Sequence, residues 1–468
     1  MSKPSSYSWP PAPAGETAPG DHPAPVNRQA ELRRSLIFIA YAAFITTMAQ
    51  DKLLAYTPLR FVLKGLLAGN PQQKTLMSGF FFLSGLAWYF KPLAGLIIDS
   101  FPLLGTRRRS YMILASVLGG LCWAAFIPLS VHPTYKGLLW IDIALGVFMV
   151  FGSTIMGALL VEAGQRFGAT GRVSAVREGI QQGCYIVAGP VGGWLAGKAF
   201  GLTAGIGAAL MISLAIAAYF FLTEQPVARA NTRVWQDAWV QLGHVFQSGT
   251  LWAATGLLLL FFISPGFQTP LLYLWTDTLH FSKHDVGYLT GMQGIGSVVG
   301  AAVYLFVCKR FNLRTLLLAG IAMYALSAVG YFYYHNLTEA YLIEFEYNFF
   351  ITLGALPLYD LATRATPRGG EAMGYALMMS VRNVALLGGD TIGSYLMEHH
   401  VRLPFGGQIK PLTFGELVWV NIGFTLIALV AVPLLPRTLM RHREGEDMNE
   451  PDVTGEQISA AQPSPHAP

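Results

Sequence analysis

Apolar residues in this chain run in long blocks that neither alternate with polar residues nor leave a charged face. Val286–Val307 and Thr315–Tyr334 contain no Lys, Arg, Asp or Glu, and each is close to the roughly 20 residues a helix needs to cross a bilayer. Twelve such runs can be traced: Ser35–Tyr56, Thr75–Ile98, Tyr111–Leu129, Leu138–Val161, Ser174–Ala196, Thr203–Leu222, Leu251–Leu274, Val286–Val307, Thr315–Tyr334, Tyr341–Ala362, Ala372–Leu396 and Leu417–Leu435. The longest polar connection, Thr223–Thr250, follows the sixth. The pattern predicts an all-α integral membrane protein with twelve transmembrane helices in two six-helix halves, residues 31–223 and 251–440, joined by a cytoplasmic linker over 224–250. In that linker Val234, Trp235, Ala238 and Trp239 can share one face, as in a short amphipathic helix lying on the membrane surface.

Composition removes the main competitor. Charged residues make up 12% of the chain and hydrophobic ones 53%, against about 25% charged in soluble domains. A large soluble helical enzyme with charged outer faces is therefore excluded. With the N-terminus inside, nineteen of the 31 Lys and Arg residues fall in inner segments and eight in outer ones. Lys52, Lys91, Arg177 and Arg382 lie inside the runs. The bias predicts cytoplasmic termini and a plasma membrane, or bacterial inner membrane, as the location. The net charge of +5 reflects these loops, not nucleic-acid binding. Residues 1–30 and 441–468 read as disordered cytoplasmic tails, and the start lacks the basic-then-apolar order of a cleavable signal. Cys122, Cys184 and Cys308 stand alone in apolar runs, so they predict packing and no disulfide framework.

Several motif matches carry no chemistry. Gly192–Lys198 has phosphate-loop spacing but lacks the following Ser or Thr, and it ends a membrane run where a strand-to-helix turn is required. Glu398, His399 and His400 are adjacent, and neighbours on a helix point about 100° apart, so a cap on the eleventh helix is expected and a metal site is not. Asn336-Leu337-Thr338 is a glycosylation sequon. No catalytic, metal or cofactor site is expected.

The segment GLIIDSFPLLGTRRR, Gly95–Arg109, is a short basic hinge between two apolar runs. With Asp99 closing one run and Arg107, Arg108 and Arg109 opening the next, it resembles the gate loop between helices 2 and 3 of major facilitator superfamily transporters. The longer stretch Phe90–Tyr111 resembles the helix 2–3 signature of one branch, the folate-biopterin transporter family, in which KP, a glycine, an aspartate, an FP pair and a paired-arginine turn recur in this order. Asp360–Asn383 looks like that family's helix 10–11 region. The resemblance implies a secondary transporter working by alternating access, with a folate or pterin as its solute. It also implies a cytoplasmic gate, assigned here to Asp99, Arg107, Arg108, Glu162 and Glu371. Where family members often carry acidic residues early in helix 4, this chain has Gly152, Ser153 and Thr154.

Polar residues deep in a span cost free energy and ask for a reason. Thr47, Gln50 and Asp51 have the i, i+3, i+4 spacing of one helical stripe, and Arg177 shares a face with Gln181. Glu344, Tyr347 and Asn348 align, while Glu346 points elsewhere, and Ser380, Asn383 and Asp390 lie on one stripe beside Arg382. Interhelical pairing that only holds the bundle together is the competing reading for any one of them. As a set, Gln50, Asp51, Arg177, Gln181, Glu344, Tyr347, Arg382, Asn383 and Asp390 predict a polar cavity for solute and coupling ion. Arg177 and Arg382 suit carboxylates, and Tyr331 to Tyr334 with Tyr347 suit a flat ring. With no nucleotide-binding motif, an ion gradient is the expected energy source, with Asp51 and Asp390 as proton carriers ahead of Glu344 and Glu178. The expected partners are a small-molecule solute, a coupling proton and the lipid bilayer, around a monomer. The alternatives are another organic anion or drug-like solute, or a non-transporting membrane receptor or scaffold.

Overall fold

A computed structural model describes residues 28–106, 108–167, 170–222, 224, 233–366, 371–402 and 408–436. Helices α1 (Arg28–Met48) and α2 (Tyr56–Leu66) replace the first predicted run. The second divides into α3 (Gln73–Ser84), α4 (Leu86–Tyr89) and α5 (Lys91–Ser100). Then come α6 (Arg109–Leu129), α7 (Tyr135–Phe167), α8 (Thr170–Ala196), α9 (Phe200–Phe221) and the connecting α10 (Arg233–Gln247). The rest comprises α11 (Gly249–Phe262), α12 (Gln268–Tyr273), α13 (Lys283–Val307), α14 (Leu313–Ser327), α15 (Leu337–Ala365), α16 (Glu371–Glu398) and α17 (Phe414–Ala431). A two-residue ribbon, Val401–Arg402 with Gln408–Ile409, joins α16 to α17. Six of the described helices are long and apolar enough to cross a membrane by themselves.

The fifth, tenth and eleventh runs are also continuous, as α8, α15 and α16, whereas the first, second and seventh are broken, and the breaks have local causes. Pro265 and Gly266 interrupt the seventh run, and Gly85 and Pro92 the second. The first contains no early proline. There the Gln50 amide donates to the Thr46 carbonyl at 2.9 Å, and the Ala49 carbonyl accepts from the Trp123 indole at 3.0 Å. Side chains thus take carbonyls that a continuing helix would use. The predicted stripe of Thr47, Gln50 and Asp51 is corrected accordingly: Gln50 and Asp51 lie in a non-helical segment, where side-chain direction no longer follows the 3.6 period. Arg60 and Lys64, two of the eight cations that the sequence places in outer segments, belong to α2, where Arg60 is 5% exposed.

Helices α1–α9 pack among themselves, as do α11–α17, and the two bundles meet chiefly where α8 crosses α13 and α3 crosses α16. The first crossing is a contact of backbones. A Cβ added at Gly193 would sit 2.7 Å from the Gly287 Cα, so only glycine lets these helices approach so closely. The amphipathic α10 contacts α5, α11 and α16, with Ala238 buried and Trp239 exposed.

Candidate functional site

Polar side chains inside the C-terminal bundle form two linked groups. In the first, Glu344 of α15 is fully buried. One carboxylate oxygen accepts from the Gln293 amide at 2.7 Å, and the other from the Tyr331 and Tyr334 hydroxyls at 3.2 Å each. Tyr347 shares a 2.7 Å hydroxyl contact with Tyr324, while Asn348 donates back to the Glu344 carbonyl. A cavity of about 80 Å³, with Gln293, Tyr331, Tyr347, Asn348 and Asp390 in its wall, lies beside them. Organic solutes occupy pockets of about 300–1,000 Å³, so this space must widen before it admits one. The aromatic residues expected to stack on a flat solute, Tyr331, Tyr334 and Tyr347, are packed around Glu344 instead.

Asp390 is engaged in structure. Its two oxygens accept from the Thr269 backbone N–H at 2.9 Å and the Thr269 hydroxyl at 2.6 Å, at the start of α12. At the break itself, the Gly266 N–H donates to the Gly389 carbonyl at 2.8 Å. The carboxylate therefore ties the restarted helix to α16.

The second group surrounds Arg382. Its guanidinium lies 4.9 Å from the Phe262 ring centroid and 5.9 Å from that of Tyr359, two rings that stack on each other. It donates to the Asn383 amide oxygen at 2.9 Å, and Nε is buried without a partner. No carboxylate among the described residues pairs with it; Asp360, one residue beyond Tyr359, is held by Arg364 at 2.8 Å. Next to this stack opens a cleft of about 230 Å³ lined by Tyr304, Leu356, Tyr359, Asp360, Thr363 and Tyr375. Tyr304, Tyr359 and Tyr375, which the sequence reading passed over, are the rings that a flat solute could reach. Tyr359 and Tyr375 carried only the signal of lying beside and inside the Asp360–Asn383 stretch, and Tyr304 carried none.

In the N-terminal bundle, Gln50 is half-buried and Asp51 is 3% exposed. A second carboxylate of this bundle, Asp142 of α7, was missed, although it is the one charge in the run Leu138–Phe151 and the same burial argument applies to it. It is 1% exposed. Gln181 is half-buried on α8; the side chains of Arg177, Glu178, Glu162 and Glu371, and Arg107 as a whole, lie outside the described residues.

The bundles are latched at the end that carries α2, α12 and the start of α3. Lys64 pairs with Asp277 and the Thr276 hydroxyl. Arg60 donates to the Gln268 carbonyl at 3.3 Å, and Lys283 to the Ala196 carbonyl at 3.0 Å. Glu398, expected to cap its own helix, reaches across from α16 to cap α3. It accepts from the backbone N–H groups of Lys74 and Thr75 at 2.7 and 2.9 Å, and from the Thr75 hydroxyl at 2.8 Å.

Of the gate expected at the opposite end, the structure describes the side chains of Asp99 and Arg108. Asp99 is exposed and makes no hydrogen bond or ion pair among the described residues, though α5 abuts α16. Glu224 instead caps the arginine turn, accepting from the N–H groups of Arg108 and Arg109 at 2.9 and 3.0 Å. Those positive N–H groups at the start of α6 are what a carboxylate seeks. Lys91, inside the second run, donates to Ser153 at 3.1 Å.

A model of the BT1 family matches residues 51–457. The "Folate-biopterin transporter" of Synechocystis sp. is 26% identical over 396 residues, covering 80% of this chain and 76% of the relative. The "Probable folate-biopterin transporter 2" of Arabidopsis thaliana is 22% identical over 444 residues, covering 87% and 84%. Among solved structures, a mutant of the nucleoside transporter NupG superposes with a TM-score of 0.65 at 13% identity, covering 87% of this chain and all of that one. The fold is that of major facilitator superfamily transporters, multi-pass integral membrane proteins and not enzymes.

Proposed function

The chain belongs to the BT1 family, and from that premise we propose that it carries a folate or pterin across the membrane by alternating access, coupled to protons. The observation that bears most of this reading is Arg382. Arg382 is half-buried with its Nε cut off from water, and a guanidinium inside a bundle with no carboxylate partner among the described residues is costly unless something anionic joins it. Here it is already stacked on aromatic rings, beside a tyrosine-lined cleft. Arginine binds a carboxylate in bidentate fashion, and the rings suit the flat heterocycle of a pterin.

Alternating access is supported by the latch. Among the described residues, hydrogen bonds between the bundles gather at one end, which the Lys and Arg count assigns to the outside, with both termini in the cytoplasm. The 80 Å³ cavity fits a closed stage of such a cycle. Thermal denaturation of the purified protein with folic acid, biopterin and unrelated organic anions tests the solute. A ligand of the folded state raises the apparent melting temperature, and folic acid or biopterin is expected to raise it most. Stabilisation by unrelated anions alone would point to a different organic anion.

A further inference from the structure

The buried carboxylates of this protein differ in what satisfies them. Glu344, Asp390 and Glu398 each accept hydrogen bonds. Asp142 is 1% exposed, and neither of its carboxylate oxygens has a hydrogen-bond partner. A carboxylate keeps its charge away from water only where donors or a cation replace the water. A bound proton satisfies the same group in another way, by turning it into a neutral acid with its own O–H.

The surroundings of Asp142 suit a proton that must also leave. Asp51 and Lys52 face it from the break between α1 and α2, and α3 contributes the Ser84 hydroxyl nearby. Of the charges on the other packed helices, Arg33 of α1 and Asp99 of α5 are exposed, and the rest have partners elsewhere or lie outside the described residues. Lys91 of α5 donates to Ser153 farther along α7. Arg109 of α6 is held at the Tyr219 carbonyl. Lys74 of α3 is drawn to Glu398. On α8, Arg177 and Glu178 have side chains outside the described residues. Lys52 forms no ion pair with either aspartate among the described residues, whose pairs are Lys64–Asp277, Lys74–Glu398, His335–Glu339 and Arg364–Asp360. Instead its Nζ lies over Gly85 together with the Tyr89 hydroxyl and Leu387 of α16. The cluster thus borders the α3–α16 contact, a seam that alternating access has to rearrange.

We propose that Asp142, with Asp51 beside it and Lys52 as counter-cation, binds and releases the coupling proton. Two neighbouring carboxylates in a dry site favour holding one proton between them. When the seam at Gly85 and Leu387 shifts, Lys52 can move onto Asp142. The O–H bond then breaks, the proton leaves to water, and the ammonium neutralises the carboxylate left behind. This rests on the proton-coupled reading above, and it moves the carrier role away from Asp390.

Infrared difference spectra of the protein in lipid, recorded across a pH titration, test the proposal without any substrate. The wild type should show the carbonyl band of a buried carboxylic acid that titrates. Asp142→Asn should abolish that band, while Asp390→Asn should keep it. In proteoliposomes, Asp142→Asn should retain counterflow of labelled folic acid yet lose pH-driven accumulation. The band persisting in Asp142→Asn, or absent from the wild type, overturns the proposal even if folic acid is transported. Loss of counterflow together with accumulation in both Asp142→Asn and Asp142→Glu marks a structural role and overturns it too. A titrating Asp142 band in a protein that carries neither folic acid nor biopterin leaves the proton site standing and removes the solute reading.

Discussion

Glu398 offers the sharpest perturbation of the conformational cycle. It belongs to α16, yet its side chain, 4% exposed, closes the N-terminus of α3 in the other bundle. Three short hydrogen bonds end on it. Hydrogen bonds to a charged group contribute about 1.5–3 kcal/mol each when the partner is left dry. At the end of a bundle that can open, water reaches the released donors, so the clamp as a whole is taken as about 2 kcal/mol. At 1.4 kcal/mol per factor of ten, Glu398→Ala then raises the population open at this end about thirtyfold relative to the closed one. The assay is alkylation of a single cysteine at Leu271, a buried α12 position, in a protein whose three native cysteines are replaced. With reagent on both sides and opening fast relative to labelling, the rate follows the open population. Glu416→Ala is the control, because Glu416 caps only its own helix through Thr413. Labelling within about threefold of the parent, less than about 0.7 kcal/mol, refutes the clamp.

Arg382→Gln should weaken folic acid binding about ten- to a hundredfold, the effect of losing charged hydrogen bonds of about 1.5–3 kcal/mol. Arg382→Lys should recover only part of it, since an ammonium lacks the planar fork; titration calorimetry reads both. Asp390→Asn should lower stability by about 1–2 kcal/mol, as expected for bonds between membrane helices, while pH-driven accumulation of folic acid survives; loss of coupling at unchanged stability contradicts the tie between α12 and α16. Reporter fusions after Arg109, Arg233 and Arg368 should report cytoplasm, and those after Lys136 and Lys283 the other side. The reverse pattern refutes the orientation drawn from the Lys and Arg count.

Much of the fold was legible because a bilayer imposes one rule on every span, and composition reports it. The runs Tyr111–Leu129, Leu138–Val161 and Leu417–Leu435 reappear as α6, α7 and α17 with their cores intact. Period-based reasoning failed where a helix stops inside the membrane. At Gln50 the interruption comes from a long-range bond, Trp123 to the Ala49 carbonyl, which spacing cannot reveal. The polar residues were legible as a set but not in their pairings. Asp390 and Asp142 look alike in sequence, and only the position of Thr269 separates a satisfied carboxylate from an unsatisfied one. Glu398 reads as a cap on its own helix and Glu224 as part of the polar linker, because the helix starts they cap lie 323 and 115 residues away.

The account stands on a solute held at Arg382 and carried between two sides. Counterflow in proteoliposomes measures that directly: vesicles loaded with unlabelled folic acid or biopterin are diluted into a trace of labelled folic acid. The wild type should accumulate label transiently above the level of empty liposomes, and Arg382→Gln, folded by its melting transition, should not. Label that never enters with the wild type, or enters equally well with Arg382→Gln, contradicts it.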